Sequence, residues 1–394
     1  MSHVIFCLLL LSTGFDTLAF NTPVGSFRIS IVLFMLVFFG LAVKREIKID
    51  IKELSLFVFL LISMLVSSYF SFSPMRSVTY ICWFFICYIF YFGVARTFTR
   101  AITYEGVLKT VRITGRLQII VCGIMALVGF ERPSLFYYEP SYLIIALVPY
   151  IYYSIGFFKD RKRTKFGLID LLLLLILLFV SMSANLMLAI LITASFHYIR
   201  FEVKYIAAVS VAIFLVWGFT QWYYKTHDDL LAVTLANIYQ SVDVFTAVLE
   251  RTGNRWPRMQ IGIDVAQEYM LTGVGLGTFS DFSLSYNSFY DYTKGMEWNE
   301  PRGFPATNIF IELLAEGGGG VFVFFVLFLL YIFNAPRYLN SYEKRHFFEW
   351  RRIFIILLLL LCIESSLLRP YFWFYLGILS GLSSMIGRRN VVDE

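Results

Sequence analysis

Apolar runs of about 17–25 residues recur along the whole chain, separated by short polar intervals, which is the pattern of helices that cross a bilayer. Twelve spans are predicted: Val4–Phe20, Phe27–Val43, Leu54–Phe70, Val78–Ala95, Leu117–Phe130, Ser141–Phe158, Phe166–Ser183, Ala184–Ile199, Tyr205–Tyr224, Asn308–Phe333, Ile353–Leu368 and Tyr371–Ile386. The first lacks a basic leading region and a small-residue cleavage site, and further spans follow at once, so it reads as a helix and not as a signal peptide. One polar interval is long, residues 225–307, and no apolar run inside it is long enough to span. Helical segments are predicted there at 230–249 and 255–270. Asn254 is placed to cap the second, with Pro257 in its first turn and Gly273 as its terminator. Met259, Ile263, Ala266 and Met270 share a face of it. The expected architecture is all-α and polytopic, one membrane domain over 1–394 with one large loop inserted.

Composition agrees with the pattern. Of 394 residues, 59% are hydrophobic, 19% aromatic and 15% charged, and the mean hydropathy is +0.72. A soluble domain could not hide that much apolar surface. The five cysteines, Cys7, Cys82, Cys87, Cys122 and Cys362, all lie in apolar runs, so neither a disulfide framework nor a metal site is suggested. Four histidines, His3, His197, His227 and His346, give poor support to a zinc site or a His-dependent nucleophile.

Charge sets the expected orientation. One set of loops carries 23 Lys and Arg residues, among them Lys44, Arg45, Arg96, Arg116, Lys162 and Arg352, while the short loops of the other set carry four, Arg28, Arg76, Arg132 and Arg369. The positive-inside rule puts the first set, and both termini, in the cytoplasm. The long loop is then outside. The net charge of +6 is mostly accounted for by these inner loops and calls for no nucleic-acid partner.

The long loop holds the candidate chemistry. It is acidic, with ten Asp and Glu against six Lys and Arg over 225–306, so its arginine cluster is local. Arg255 and Arg258 are three apart at a helix start and share a face, with Arg251 one turn upstream. Guanidinium groups beside a helix N-terminus make an anion site, and the planar fork of Arg suits a diphosphate. The competing reading pairs these arginines with carboxylates such as Glu250 or Asp264, or with lipid headgroups. Gly273, Gly275 and Gly277 form a tight GVGLG turn. Between Phe279 and Phe304 lies an aromatic stretch including Trp298, suited either to stacking on sugar rings or to the membrane interface. In the short outer loop ERPSLFYYEPSYL stand Arg132 and Glu139. Glu364 and Arg369, near an outer span end, read as a structural ion pair, since a carboxylate in hydrocarbon needs a partner. Asp170, near the inner interface, needs no special role.

The order of these features resembles the O-antigen polymerase and ligase superfamily. Arg255 lies eighteen residues before Gly273 in a G-V-G-x-G-x-F turn, formed by Gly273, Val274, Gly275, Gly277 and Phe279. The chain then returns to the membrane through Asn308, Leu313, Leu314, Glu316, Gly317 and Gly320, similar to the family's Asn followed by E-G-x-x-G. Glu139-Pro140-Ser141 resembles a short outer-loop motif of Wzy-type polymerases, and SMSANLMLAIL looks like the Ser-containing span of the family. These motifs cover about a quarter of the chain. Ligases of the superfamily carry a His directly or two residues before that Asn. Here those positions are Thr307 and Pro305. The Trp expected after the Arg is Met259, and the Pro expected before GVG is Met270. The missing His favours a polymerase.

The resemblance implies a glycosyltransferase-C-like bundle in the bacterial inner membrane. The implied partner is an undecaprenyl-diphosphate-linked oligosaccharide within the lipid bilayer, with a flippase and a chain-length regulator as further partners. Neither metal nor nucleotide is required. Arg255 is expected to meet the leaving-group charge, with Arg258, Arg132, Arg302 and Arg251 as helpers. Gly273, Gly275, Gly277, Asn308 and Trp298 are the remaining candidate contacts to substrate. Glu139 is the candidate base. Two rivals stand beside this reading. One is a ligase or another lipid-linked glycan polymerase. The other is a transporter or flippase, for which charges midway along the spans are expected.

Overall fold

A computed structural model describes residues 2–22, 25–47, 50–156, 167–181, 183–198, 255–285, 304–334, 341–365 and 367–383, with isolated positions between 218 and 236. The ninth predicted span and the segment 230–249, isolated positions excepted, lie outside the described residues, as do Arg251, Asn254, Trp298 and Arg302. Among the described residues the protein is mostly helical. Four helices are long and apolar enough to cross a membrane: Ile51–Tyr69, Pro74–Ala101, Tyr104–Leu127 and Ile309–Phe333. This makes the chain compatible with a helical membrane protein.

In chain order the elements are α1 (Ser2–Ser12), the hairpin β1–β2 (Ala19–Thr22 and Gly25–Arg28), α2 (Ile29–Val43) and α3 (Ile51–Tyr69). Then come α4 (Pro74–Ala101), α5 (Tyr104–Leu127), α6 (Pro140–Ala146), α7 (Val148–Ile155), α8 (Gly167–Ser181) and α9 (Ala184–Tyr198). Beyond the undescribed stretch follow α10 (Arg255–Glu268), α11 (Phe279–Ser285), α12 (Ile309–Phe333), α13 (Ser341–Leu360) and α14 (Pro370–Ser383). Local chemistry explains several starts. Asp50 accepts from the backbone of Lys52 and Glu53 at 3.0 and 3.4 Å to open α3, and Pro74 stands in the first turn of α4. Within α4, Cys87–Phe92 is wound as π-helix.

The core forms around α14. Every residue from Pro370 to Leu382 is buried, as befits a helix apolar on all sides. Gly377 and Gly381 let it approach α4 closely: a Cβ on Gly377 would sit 2.5 Å from the Phe92 carbonyl oxygen, and one on Gly381 2.7 Å from Thr99 Cβ. Aromatic rings fill the remaining space, with Trp373 edge-on to Phe84 at 4.8 Å and Phe57 stacked on Tyr88 at 3.6 Å. The outward faces are apolar too. Phe59, Ile62, Leu65 and Val66 of α3 and Phe179 of α8 are exposed, as lipid-facing positions should be.

The helices run between two polar ends. At one end Glu53 pairs with Arg96 at 2.6 Å, both almost fully buried, and Ser380 donates to Glu53 at 2.5 Å. Tyr331 donates to Asp50 at 3.1 Å, and Tyr342 to Glu105 at 3.2 Å. At the other end Asp16 is held between Arg28 (3.1 Å) and Arg369 (3.0 Å), and Arg76 pairs with Asp281.

Several spans depart from expectation. The first helix stops at Ser12, and a β-hairpin follows with Ala19 opposite Arg28 and Phe20 opposite Phe27, so the chain is not purely α. Ser12 and Thr13 turn their hydroxyls back onto the Leu9 and Leu10 carbonyls at 2.8 and 2.6 Å, and Gly14 packs against Tyr137. At about 1.5 Å per residue, α1 is too short for a bilayer of about 30 Å. The span expected at Ser141–Phe158 is two short helices that meet at Leu147 and Val148, because Pro149 lacks the N–H that would carry one helix through. Lys109, Arg112 and Arg116 lie inside α5 and not in a loop, because that helix, capped by Thr103, starts at Tyr104, thirteen residues before the expected Leu117. Arg116 then meets Asp170 through a two-pronged contact at 2.6 and 3.0 Å, joined by the Tyr150 hydroxyl at 3.0 Å. Asp170 thus ties α5 to α8 and α7.

Candidate functional site

The site is built on α10 and the loops that face it. The described helix covers Arg255–Glu268, and Gly273 closes the turn after it, with φ +68 and its N–H on the Tyr269 carbonyl at 2.8 Å. The buried stripe of α10 is Ile261, Gly262, Val265 and Ala266, not the stripe of Met259, Ile263, Ala266 and Met270 expected from sequence. Met270 is 60% exposed. The reason lies in the partner: Ile261 and Val265 pack with Val274, Phe279, Ala306 and Ala315, so the Gly turn and α12 choose the face.

The GVGLG turn is wedged into a break in α12. Gly318 there has φ +72 and ψ −179, which interrupts the helical ladder. The freed backbone groups find the turn. Val274 N–H donates to the Ala315 carbonyl at 3.0 Å, Gly275 N–H to the Glu316 carbonyl at 2.9 Å, and Gly319 N–H to the Met270 carbonyl at 2.6 Å. The Glu316 side chain accepts from Gly277 N–H at 2.8 Å and Phe279 N–H at 3.1 Å. A Cβ on Gly273 would fall 2.2 Å from the Glu316 carbonyl oxygen, so that position requires glycine on space and on φ alike. These glycines contact the protein's own backbone and Ser71, Ser77 and Tyr80. Asn308 likewise works on the fold: its oxygen accepts from Phe310 and Ile311 N–H at 3.0 and 3.1 Å, and its amide donates to the Cys362 carbonyl at 2.9 Å.

By anchoring α10, this wedge presents two arginines. Arg255 Nη2 lies 2.5 Å from Glu364 Oε1, with the arginine side chain 30% exposed and the glutamate 7%. Asn185 Nδ2 donates to the same Oε1 at 3.3 Å. Arg258 lies over the Phe304 ring at 4.0 Å and feels Arg255, Glu364, Glu139 and Tyr142. Burial, aided by the like charge of Arg255, lowers its guanidinium pKa to about 10, still protonated at neutral pH. Glu139 is exposed beside the start of α6, and Ser141 Oγ donates to it at 3.3 Å. Two cations and two carboxylates therefore share one patch.

The pairing differs from the one expected. Glu364 takes Arg255, while Arg369 goes to Asp16 and lies over the Tyr142 ring at 4.1 Å. Neither choice was legible locally. Glu364 and Arg369 are five apart, but the described chain turns after Leu360 and divides them between different partners. Asp16 and Asn185 carried no signal of their own beyond being polar residues in apolar surroundings. Arg132 is exposed with φ +50, and among the described residues no hydrogen bond or ion pair joins it to Arg255 or Glu364. Thr307, at a position where ligases of the resembled family have a His, donates its hydroxyl to the Arg255 carbonyl at 3.2 Å. No group of metal-ligating side chains occurs among the described residues.

The fold and the patch define a class, a mostly helical chain compatible with a helical membrane protein, carrying a cationic and carboxylate-lined site. No protein-family model matches the chain, and no curated protein matches it in sequence.

Proposed function

We propose that the chain is an O-antigen polymerase of the bacterial inner membrane, with about twelve spans, both termini in the cytoplasm and the long loop outside. The observation that carries this reading is the side-by-side presentation of Arg255 and Arg258 with Glu364 and Glu139. In the reaction a hydroxyl of the terminal sugar on one lipid-linked repeat unit attacks the anomeric carbon of a glycan chain on undecaprenyl diphosphate. The bond to the diphosphate oxygen breaks, and undecaprenyl diphosphate leaves. Charge grows on that oxygen, and Arg255 and Arg258 meet it with donors already in place. Arg251, Arg302 and Trp298, with the exposed Arg132, are the further groups assigned to substrate on sequence grounds. The absence of His at Pro305 and Thr307 supports a polymerase over a ligase.

The test is the ladder of chain lengths in a deletion strain carrying each variant, with membrane abundance measured by immunoblot. Loss of the protein should leave surface lipopolysaccharide with a single repeat unit, whereas cells lacking any attached repeat would identify a ligase. Loss of a cation at a leaving group costs about 3 kcal/mol, over a hundredfold in rate, so Arg255→Ala should abolish long chains. Arg255→Lys should be strongly impaired, because an ammonium lacks the fork. Removing Arg255 also strands Glu364, at a cost of about 3–5 kcal/mol. The double variant Arg255→Ala/Glu364→Gln relieves that cost and should accumulate normally while still making no ladder. A full ladder from the double variant would end the diphosphate assignment.

A further inference from the structure

Sugar transfer to a hydroxyl needs a proton acceptor, and the site offers two carboxylates of unlike setting. Glu139 is exposed. Glu364 is almost buried, with Arg255 and Asn185 both on its Oε1. Resting on the proposed function, we propose that Glu364 is the proton acceptor and Arg255 its release catch, so that binding of the lipid diphosphate frees the base.

The charged and titratable groups facing Glu364 are Arg255 and Arg258 from α10, Glu139 at the start of α6, and Tyr142 of α6, which itself stacks under Arg369. Ser141, whose hydroxyl donates to Glu139, also interacts with Glu364. In the empty site Arg255 occupies Glu364 Oε1, and its positive charge opposes protonation there. A diphosphate carries more charge than one carboxylate and offers two oxygens to the guanidinium fork, so it competes for Arg255. Arg255 is the better placed of the two arginines for this exchange, being 30% exposed while Arg258 is held over Phe304. Once Arg255 turns to the diphosphate, Glu364 is left in a poorly hydrated place beside the negative Glu139, and both effects favour its taking a proton.

The step balances. The acceptor hydroxyl oxygen forms the new bond to the anomeric carbon, its proton passes to Glu364, and the diphosphate oxygen departs with the bonding electron pair against Arg255 and Arg258. Release of undecaprenyl diphosphate lets Arg255 return, which expels the proton from Glu364 to the outer solvent. Coupling base to donor in this way also leaves no active base in the empty enzyme.

The experiment uses the full chain in lipid nanodiscs, with undecaprenyl diphosphate as the binding probe and a lipid-linked repeat unit as substrate. Glu364→Gln keeps the size of the side chain but cannot accept the proton. It should bind undecaprenyl diphosphate at least as tightly as wild type, because the competitor for Arg255 has gone, yet polymerise at least about a hundredfold more slowly. The acidic limb of the wild-type rate–pH profile should vanish. Glu364→Asp should recover part of the rate together with that limb. Glu139→Gln should move the limb to lower pH, since losing a like charge lowers the pKa of Glu364. Turnover by Glu364→Gln within about threefold of wild type overturns the proposal, as that is far below the effect of losing a general base. Loss of binding together with turnover does so too, leaving Glu364 as a structural partner of Arg255. In both cases a polymerising wild type preserves the functional reading. A wild type that neither binds the probe nor polymerises removes the reading and this proposal with it.

Discussion

A single residue shows how far the Gly turn is a packing device. Gly275 has φ +108, and a Cβ there would lie 1.8 Å from Ser71 Oγ and 2.8 Å from Ser77 Oγ. Gly275→Ala therefore combines overpacking, about 1–3 kcal/mol, with a backbone penalty of about 1–2 kcal/mol. Thermal unfolding of the detergent-solubilised protein should show a clear fall in midpoint. Gly40→Ala in α2 is the control, since its Cβ meets nothing within 4 Å. Relieving a helical glycine should leave stability unchanged or raise it by about 0.5–1 kcal/mol. Equal midpoints for the two variants would show that the turn is not wedged as described. The spacing of the three glycines signalled a turn in the sequence. What each glycine touches did not appear there, because Ser71, Ser77 and Glu316 are remote in the chain.

At the level of elements, the join between α11, the Gly turn and the broken α12 rests on Glu316. Its two oxygens satisfy the N–H groups of Gly277 and Phe279, and Phe279 opens α11. Glu316→Gln can accept only one of those bonds, and Glu316→Leu neither. Leaving a buried N–H without its acceptor costs about 1–3 kcal/mol. The two variants should lower the unfolding midpoint in that order and reduce membrane abundance, unlike the Arg255/Glu364 double variant. A Glu316→Leu protein with wild-type stability would contradict this anchoring role. The sequence marked Glu316 as part of a motif, and the structure gives it a task within the fold. It also explains why the buried face of α10 differs from the expected one. Periodicity alone allows several stripes on a short helix, and contact with the turn selects one.

For the whole molecule, the proposed orientation rests on the distribution of Lys and Arg among the loops. Reporter fusions at Tyr342 and at Asp160 should report cytoplasm, and a fusion near Asp291 should report periplasm. Of these, Asp160 and Asp291 lie outside the described residues. A cytoplasmic signal at Asp291 would place the arginine pair on the wrong side for lipid-linked glycans and end the functional reading. The sequence by itself determined that the chain is mostly helical and carries helices apolar enough to cross a membrane. Those properties follow from hydropathy and charge summed over many residues, which hold whatever the tertiary arrangement. It also singled out Arg255, because a helix start and a terminating glycine are local signals. The tertiary structure alone decided that α14 is the buried centre, that α1 ends early against Tyr137, and that Arg255 meets Glu364 while Arg369 meets Asp16. Each depends on residues brought together from distant parts of the chain. A charged group in a poorly hydrated setting takes the opposite charge that packing delivers, not the one nearest in sequence.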